Sequence, residues 1–121
     1  MNPVILEEEL DMYRRELLRG STGTLLLSLM SEEPMYGYQL VKEMETRSSG
    51  YFRFKEGTLY PALHRMEREG LLKGSWTEAP TGQQRRYYSI TEKGHNTLYS
   101  MKKEWSLFYS AVNRVALPEL A

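Results

Sequence analysis

The chain has 121 residues, room for one domain with a modest core, and its 16 cations balance 16 anions. It contains no cysteine, which excludes disulfides and thiolate metal sites, and only two histidines, His64 and His95, so neither metal nor cofactor is expected. No signal peptide or membrane-length apolar run is visible, the stretch from Leu25 to Met30 being far too short, and a cytoplasmic protein is expected.

The neutral total conceals a polarised molecule. Residues 1–13 carry only acids (Glu7, Glu8, Glu9, Asp11), whereas residues 53–90 hold seven cations against four anions. Asn2-Pro3 forms a cap and first-turn pair for an N-terminal helix. The acids occupy its early turns and Arg14, Arg15 and Arg19 its end, the order the helix dipole favours. Leu6, Leu10, Tyr13 and Leu17 recur at helical spacing as one apolar seam, which a lone helix cannot bury. Gly20-Ser21-Thr22-Gly23 interrupts the pattern, with Ser21 or Thr22 expected to cap the next helix.

That helix carries Leu25, Leu26, Leu27, Leu29 and Met30 on most sides and reads as a core element ending near Pro34. A helix from Tyr38 to Arg47 follows, with Leu40, Val41 and Met44 as its buried stripe. Ser48-Ser49-Gly50 makes a turn, and Tyr51 to Lys55 is a loop rich in aromatics and cations. The next helix begins between Lys55 and Thr58 and ends at Gly70. Leu59, Leu63 and Met66 form its inner stripe, and Pro61 is expected within its first turn, where no backbone donor is needed. Three short helices joined by tight turns give the order of a helix-turn-helix.

Lys73 to Glu78, with Trp76, reads as a strand, Ala79-Pro80-Thr81-Gly82 as a turn, and Gln84 to Ile90 as a second strand. Arg86, Tyr88 and Ile90 share one face of that strand; Arg85, Tyr87 and Ser89 share the other. A β-hairpin directly behind a helix-turn-helix is a wing. Thr91 is placed to cap a last helix ended by Pro118. In it Leu98, Met101, Trp105, Phe108, Val112 and Val115 form a heptad seam. The expected fold is mainly α with a small β-hairpin: an N-terminal helix (1–19), a winged helix-turn-helix (20–90) and a C-terminal dimerisation helix (91–117).

The chain resembles the PadR family of bacterial transcriptional regulators over roughly residues 17–115. The matching pieces are Tyr36-Gly37-Tyr38, Glu56 through Leu63, Arg65 through Leu72, Gly82 through Tyr88, and Ile90 through Gly94. Its length is similar to that of the short members with a single C-terminal dimerisation helix. Trp105 falls where multidrug-sensing members carry a tryptophan at the dimer centre. The resemblance implies a dimeric repressor released by a hydrophobic or planar aromatic compound. Two departures stand out: Gln83 and Gln84 dilute the charge of the wing tip, and the N-terminal helix extends some fifteen residues before the matched region.

The outward face of the third helix and the wing supply the candidate DNA contacts: Lys55, Thr58, Tyr60, His64, Arg65, Arg68, Arg85 and Arg86. Thr58 and Tyr60 suit phosphate, His64 and Arg65 base edges, and Arg85 and Arg86 phosphate or the minor groove. Arg53 and Lys55 suit electrostatic steering. The sequence leaves open whether the Tyr60 ring packs in the core, and an ordinary solvated amphipathic helix is the competing reading of this face. Leu6, Leu10, Tyr13, Leu98, Met101, Trp105, Phe108, Val112 and Val115 are the expected dimer contacts. Within that set Met101, Trp105 and Phe108 would wall an effector site, Trp105 being too bulky for close coiled-coil packing; a tryptophan simply filling the interface is the alternative. The expected partners are a near-palindromic DNA duplex, a second copy of the chain and an apolar effector. A winged helix serving as a protein-interaction module without DNA binding is the alternative function. No nucleophile, phosphate loop or metal cluster points to an enzyme.

Overall fold

The computed structural model describes residues 6–120. The expected Asn2-Pro3 cap lies outside them. Helix α1 spans Glu7–Arg19 with Glu7, Glu8 and Glu9 in its first turn and Arg19 in its last. Its apolar seam stays uncovered by the rest of the chain: Leu6, Tyr13 and Leu17 are each more than half exposed. Gly20 and Ser21 keep right-handed backbone angles as α1 passes into α2 (Thr22–Met30). Neither expected hydroxyl cap forms. With the turn still helical, the Thr22 hydroxyl donates back to the Leu18 carbonyl at 3.1 Å instead of accepting from the next helix.

Helix α2 buries Leu26, Leu27, Leu29 and Met30, as its all-round apolar sequence requires. A two-residue strand, β1 (Met35–Tyr36), then leads into α3 (Gly37–Arg47), where the Tyr36 N–H donates to the Gln39 side chain at 3.1 Å. Arg47 closes α3 onto the preceding turn through ion pairs with Glu32 and with Glu43, the latter at 2.9 Å. The guanidinium holds the Glu32 carboxyl below its ordinary value, chiefly by hydrogen bonding.

Helix α4 spans Glu56–Arg68 and buries Leu59, Leu63 and Met66. It starts within the expected window, but Pro61 is its sixth residue, a full turn inside. The proline therefore removes the bond that the Gly57 carbonyl would have received, and Gly57 is itself exposed, so that carbonyl turns to solvent at little cost. Gly70 ends the helix in the left-handed region (φ 79°), and Leu71 N–H returns to the Met66 carbonyl at 2.9 Å.

Strands β2 (Leu72–Glu78) and β3 (Gln84–Ile90) form the wing hairpin, and the antiparallel sheet runs β1-β3-β2. Met35 pairs with Tyr88, and Trp76 with Arg86. Tyr88, at the centre of the sheet, is fully buried with Leu26, Leu27, Leu40, Leu59 and Leu63 in a single core. Thr91 caps α5 (Glu92–Ala116): its hydroxyl accepts from Gly94 N–H at 3.0 Å and donates to the Gly70 carbonyl at 2.6 Å. One residue thus locks the start of α5 to the end of α4. A short 3-10 turn at Pro118–Leu120 follows α5.

Candidate nucleic-acid interface

The buried stripe of α4 turns its other side outward. Thr58, Tyr60, His64, Arg65 and Arg68 are all exposed there, and exposed Lys55 immediately precedes the helix. Arg65 meets Glu69 only at the 4.0 Å limit of an ion pair, and Arg68 forms none among the described residues. The Tyr60 question is resolved between the two alternatives. Its ring is 37 % exposed, packs its hydroxyl end against Gly37 at the start of α3, and lies 6.0 Å from the His64 ring. Gly37 is buried, and a side chain there would press on that hydroxyl; the small residue at the mouth of α3 seats Tyr60.

The wing stands beside this face, and an open groove separates them, lined by Tyr36, Tyr38, Tyr60, His64, Trp76 and Arg85. The two wing arginines, adjacent in sequence, have different surroundings because consecutive strand residues point to opposite faces. The Arg85 guanidinium rests over the Tyr36 ring at 4.5 Å, and Tyr36 in turn meets Tyr87 edge-on at 5.2 Å. Arg85 makes no ion pair among the described residues, so its charge is available to a ligand. Arg86 corrects the expectation. It shares the inward face with Tyr88, donates to Glu67 of α4 at 2.8 Å and spans the rings of Trp76 and Tyr88. Only 29 % of its side chain is exposed. It is engaged in bracing the wing rather than free to reach phosphate.

Two residues of this groove went unassigned by the sequence. Trp76 is two-thirds exposed on the wing, and Tyr36 forms the platform under Arg85. Trp76 carried a signal, a large apolar side chain in a short hairpin near cations; Tyr36 carried none, because a two-residue strand has no measurable period.

The second candidate surface lies on α5. Trp105, Phe108, Val112 and Val115 of the heptad seam face solvent in the single chain, and Trp105 stacks on Tyr109 at 5.3 Å. Leu98 corrects the expected dimer set. The first turns of α5 are pinned against the end of α4, so Leu98 enters the chain's own core at 4 % exposure and Met101 is half-buried against it. The uncovered part of the seam begins at Trp105.

Three helices, a two-stranded wing and a reading helix presented beside that wing define a winged helix-turn-helix protein. Residues 26–100 match the transcriptional regulator PadR-like family, and the chain belongs to it. The chain is 33 % identical to transcriptional regulator Rv3488 of Mycobacterium tuberculosis over 84 residues, covering 69 % of this chain and 75 % of that one. Its fold is similar to a PadR family regulator from Eggerthella lenta (TM-score 0.79, 30 % identity, 92 % of this chain and 95 % of the other). It is also similar to the PadR-like regulator BC4206 from Bacillus cereus (TM-score 0.73, 31 % identity, 84 % and 97 %). Members of the family are DNA-binding transcriptional regulators, typically dimeric, and not enzymes. No helix among the described residues is long and apolar enough to cross a membrane.

Proposed function

We propose that the chain is a cytoplasmic, dimeric transcriptional repressor whose operator binding is relieved by a hydrophobic or planar aromatic small molecule held between the two C-terminal helices. The observation that carries the DNA-reading part is the outer face of α4, where hydroxyls, His64, Arg65 and Arg68 stand exposed beside a wing arginine with no acid partner among the described residues. His64 and Arg65 suit base edges; Thr58, Tyr60, Arg68 and Arg85 suit the backbone. In a two-fold dimer the paired α4 helices enter successive major grooves about 34–36 Å apart, so the operator is a near-palindrome.

Dimerisation is supported by the bare seam from Trp105 to Val115, with the α1 residues Leu6, Leu10 and Tyr13 as a further surface for the partner chain. Paired Trp105 indoles leave a slot in which a flat ligand stacks, with Met101 and Phe108 as walls. The ligand favours a dimer whose α4 spacing no longer suits the operator, and DNA and ligand weaken each other by the same factor. The test is a gel-shift comparison of DNA upstream of its own gene with a scrambled duplex, repeated across salt. Preferential binding that falls steeply with salt supports the reading. Equal weak binding to both, joined by failure to select any duplex from a random pool, contradicts it.

A further inference from the structure

A second open groove lies between α1 and the segment joining α3 to α4. The α1 residues that line it are Glu7, Asp11, Arg14, Arg15, Leu18 and Arg19, which lie about 130° around the helix from the seam Leu6–Leu10–Tyr13–Leu17. A partner chain laid on the seam therefore leaves the groove open.

Its acids are already matched. Arg14 donates to Glu7 at 3.0 Å and to Asp11 at 3.1 Å, and lies over the Tyr51 ring at 5.9 Å. Four further cations line the same groove: Arg15 and Arg19 from α1, Arg53 and Lys55 from the connecting segment. None of the four forms an ion pair among the described residues. Arg15 and Arg53 each donate a single hydrogen bond to a backbone carbonyl, Asp11 at 3.3 Å and Gly50 at 3.1 Å, which orders their stems and leaves the charge uncompensated. The groove runs on to Thr58, in the first turn of α4, so it is continuous with the face proposed to read DNA. Arg15 and Arg19 are four residues apart, about 6 Å along the helix, close to two phosphate steps of about 3.4 Å each along one strand.

We infer that this groove is a phosphate track: the basic end of α1, with Arg53 and Lys55, grips the DNA backbone that flanks the base pairs read by α4. The inference rests on the DNA-reading role proposed above. It gives the N-terminal helix two separate duties, the seam toward the partner chain and the cations toward DNA, and lengthens the operator contact outward from each half-site.

The test compares wild type, Arg15→Gln/Arg19→Gln and Arg15→Lys/Arg19→Lys on one selected operator duplex with long flanks. Both side chains are exposed, so all three proteins should unfold at the same temperature. The glutamine pair should flatten the salt dependence by about 1.8 in log–log slope, about 0.9 for each lost phosphate contact. It should also shorten the hydroxyl-radical footprint at the outer edges while keeping the base preference, and the lysine pair should retain the wild-type slope and footprint. An unchanged slope and footprint in the glutamine variant, with wild type binding its operator normally, overturns the phosphate track alone. A lysine variant that behaves like the glutamine variant also overturns it, since the contact would then not be one of charge. Failure of wild type to prefer any duplex overturns both this inference and the reading beneath it.

Discussion

Arg86 of the wing donates to Glu67 of α4 at 2.8 Å, and the same carboxylate oxygen accepts the Gly74 N–H of the opposite wing strand at 3.2 Å. One carboxylate therefore joins both strands of the wing to the last turns of the helix that faces DNA. Gly74 leaves room for the arrangement: a side chain there would meet the Arg86 guanidinium at 2.6 Å, closer than any ordinary contact. Glu67→Gln should lower stability by about 1–2 kcal/mol, the cost of weakening a partly desolvated charge-assisted pair. Gly74→Ala should displace the same guanidinium. Because both changes break one brace, their effects in urea denaturation should add to less than their sum.

Gly94 and Leu98 fix α5 to the winged helix. A methyl group on Gly94 would overlap the backbone carbonyl of Leu71 and the Ile90 side chain, neither of which can yield without moving a strand. Gly94→Ala is therefore expected to destabilise by about 2–3 kcal/mol. Leu98→Ala, which empties a core position at 4 % exposure, should cost about 2–4 kcal/mol. Thermal unfolding with calorimetry measures both.

Tyr88 presents the opposite case. Its ring is fully buried, and its hydroxyl has no hydrogen-bond partner among the described residues. Burial pushes the phenol above its ordinary value, against the opposing influence of Arg86. Removing a polar atom that has lost water and gained no partner is neutral or favourable, so Tyr88→Phe should leave stability unchanged or raise it by about 1 kcal/mol. A loss of more than about 1 kcal/mol in denaturant titration would mean that the hydroxyl does have a partner in solution.

Trp105 should separate association from folding. Its side chain is 45 % exposed in the single chain, so Trp105→Ala should scarcely alter the melting of the winged helix. Removed from the centre of an interface, an anchoring tryptophan is worth about 2 kcal/mol or more, a dimer about 30-fold weaker or worse. Sedimentation over a concentration series reads this directly, and the same variant should lose binding of flat hydrophobic dyes.

Much of the architecture is legible in residue spacing because burial imposes its period on the chain. Leu59, Leu63 and Met66 repeat at helical intervals and are the buried residues of α4, and Thr91 occupies the cap its sequence context announces. What escapes is decided by neighbours distant in sequence. Nothing near Arg86 reveals Glu67, nineteen residues earlier, so two adjacent arginines read as equivalent until the strand is paired with its helix. Leu98 and Trp105 likewise share one seam; only the clamp at Gly94 decides which of them the chain buries for itself. Pro61 was assigned to the first turn by a local rule that a solvent-facing carbonyl relaxes.

The most direct measurement of the central claim is selection of duplexes from a random pool by the purified wild-type protein, followed by sequencing. If paired α4 helices read DNA, the enriched sequences form an inverted repeat whose half-site centres lie about 10–10.5 base pairs apart, or a multiple of that spacing. Recovery of a pool with no enriched sequence, from a protein shown to be folded and dimeric, would contradict the account.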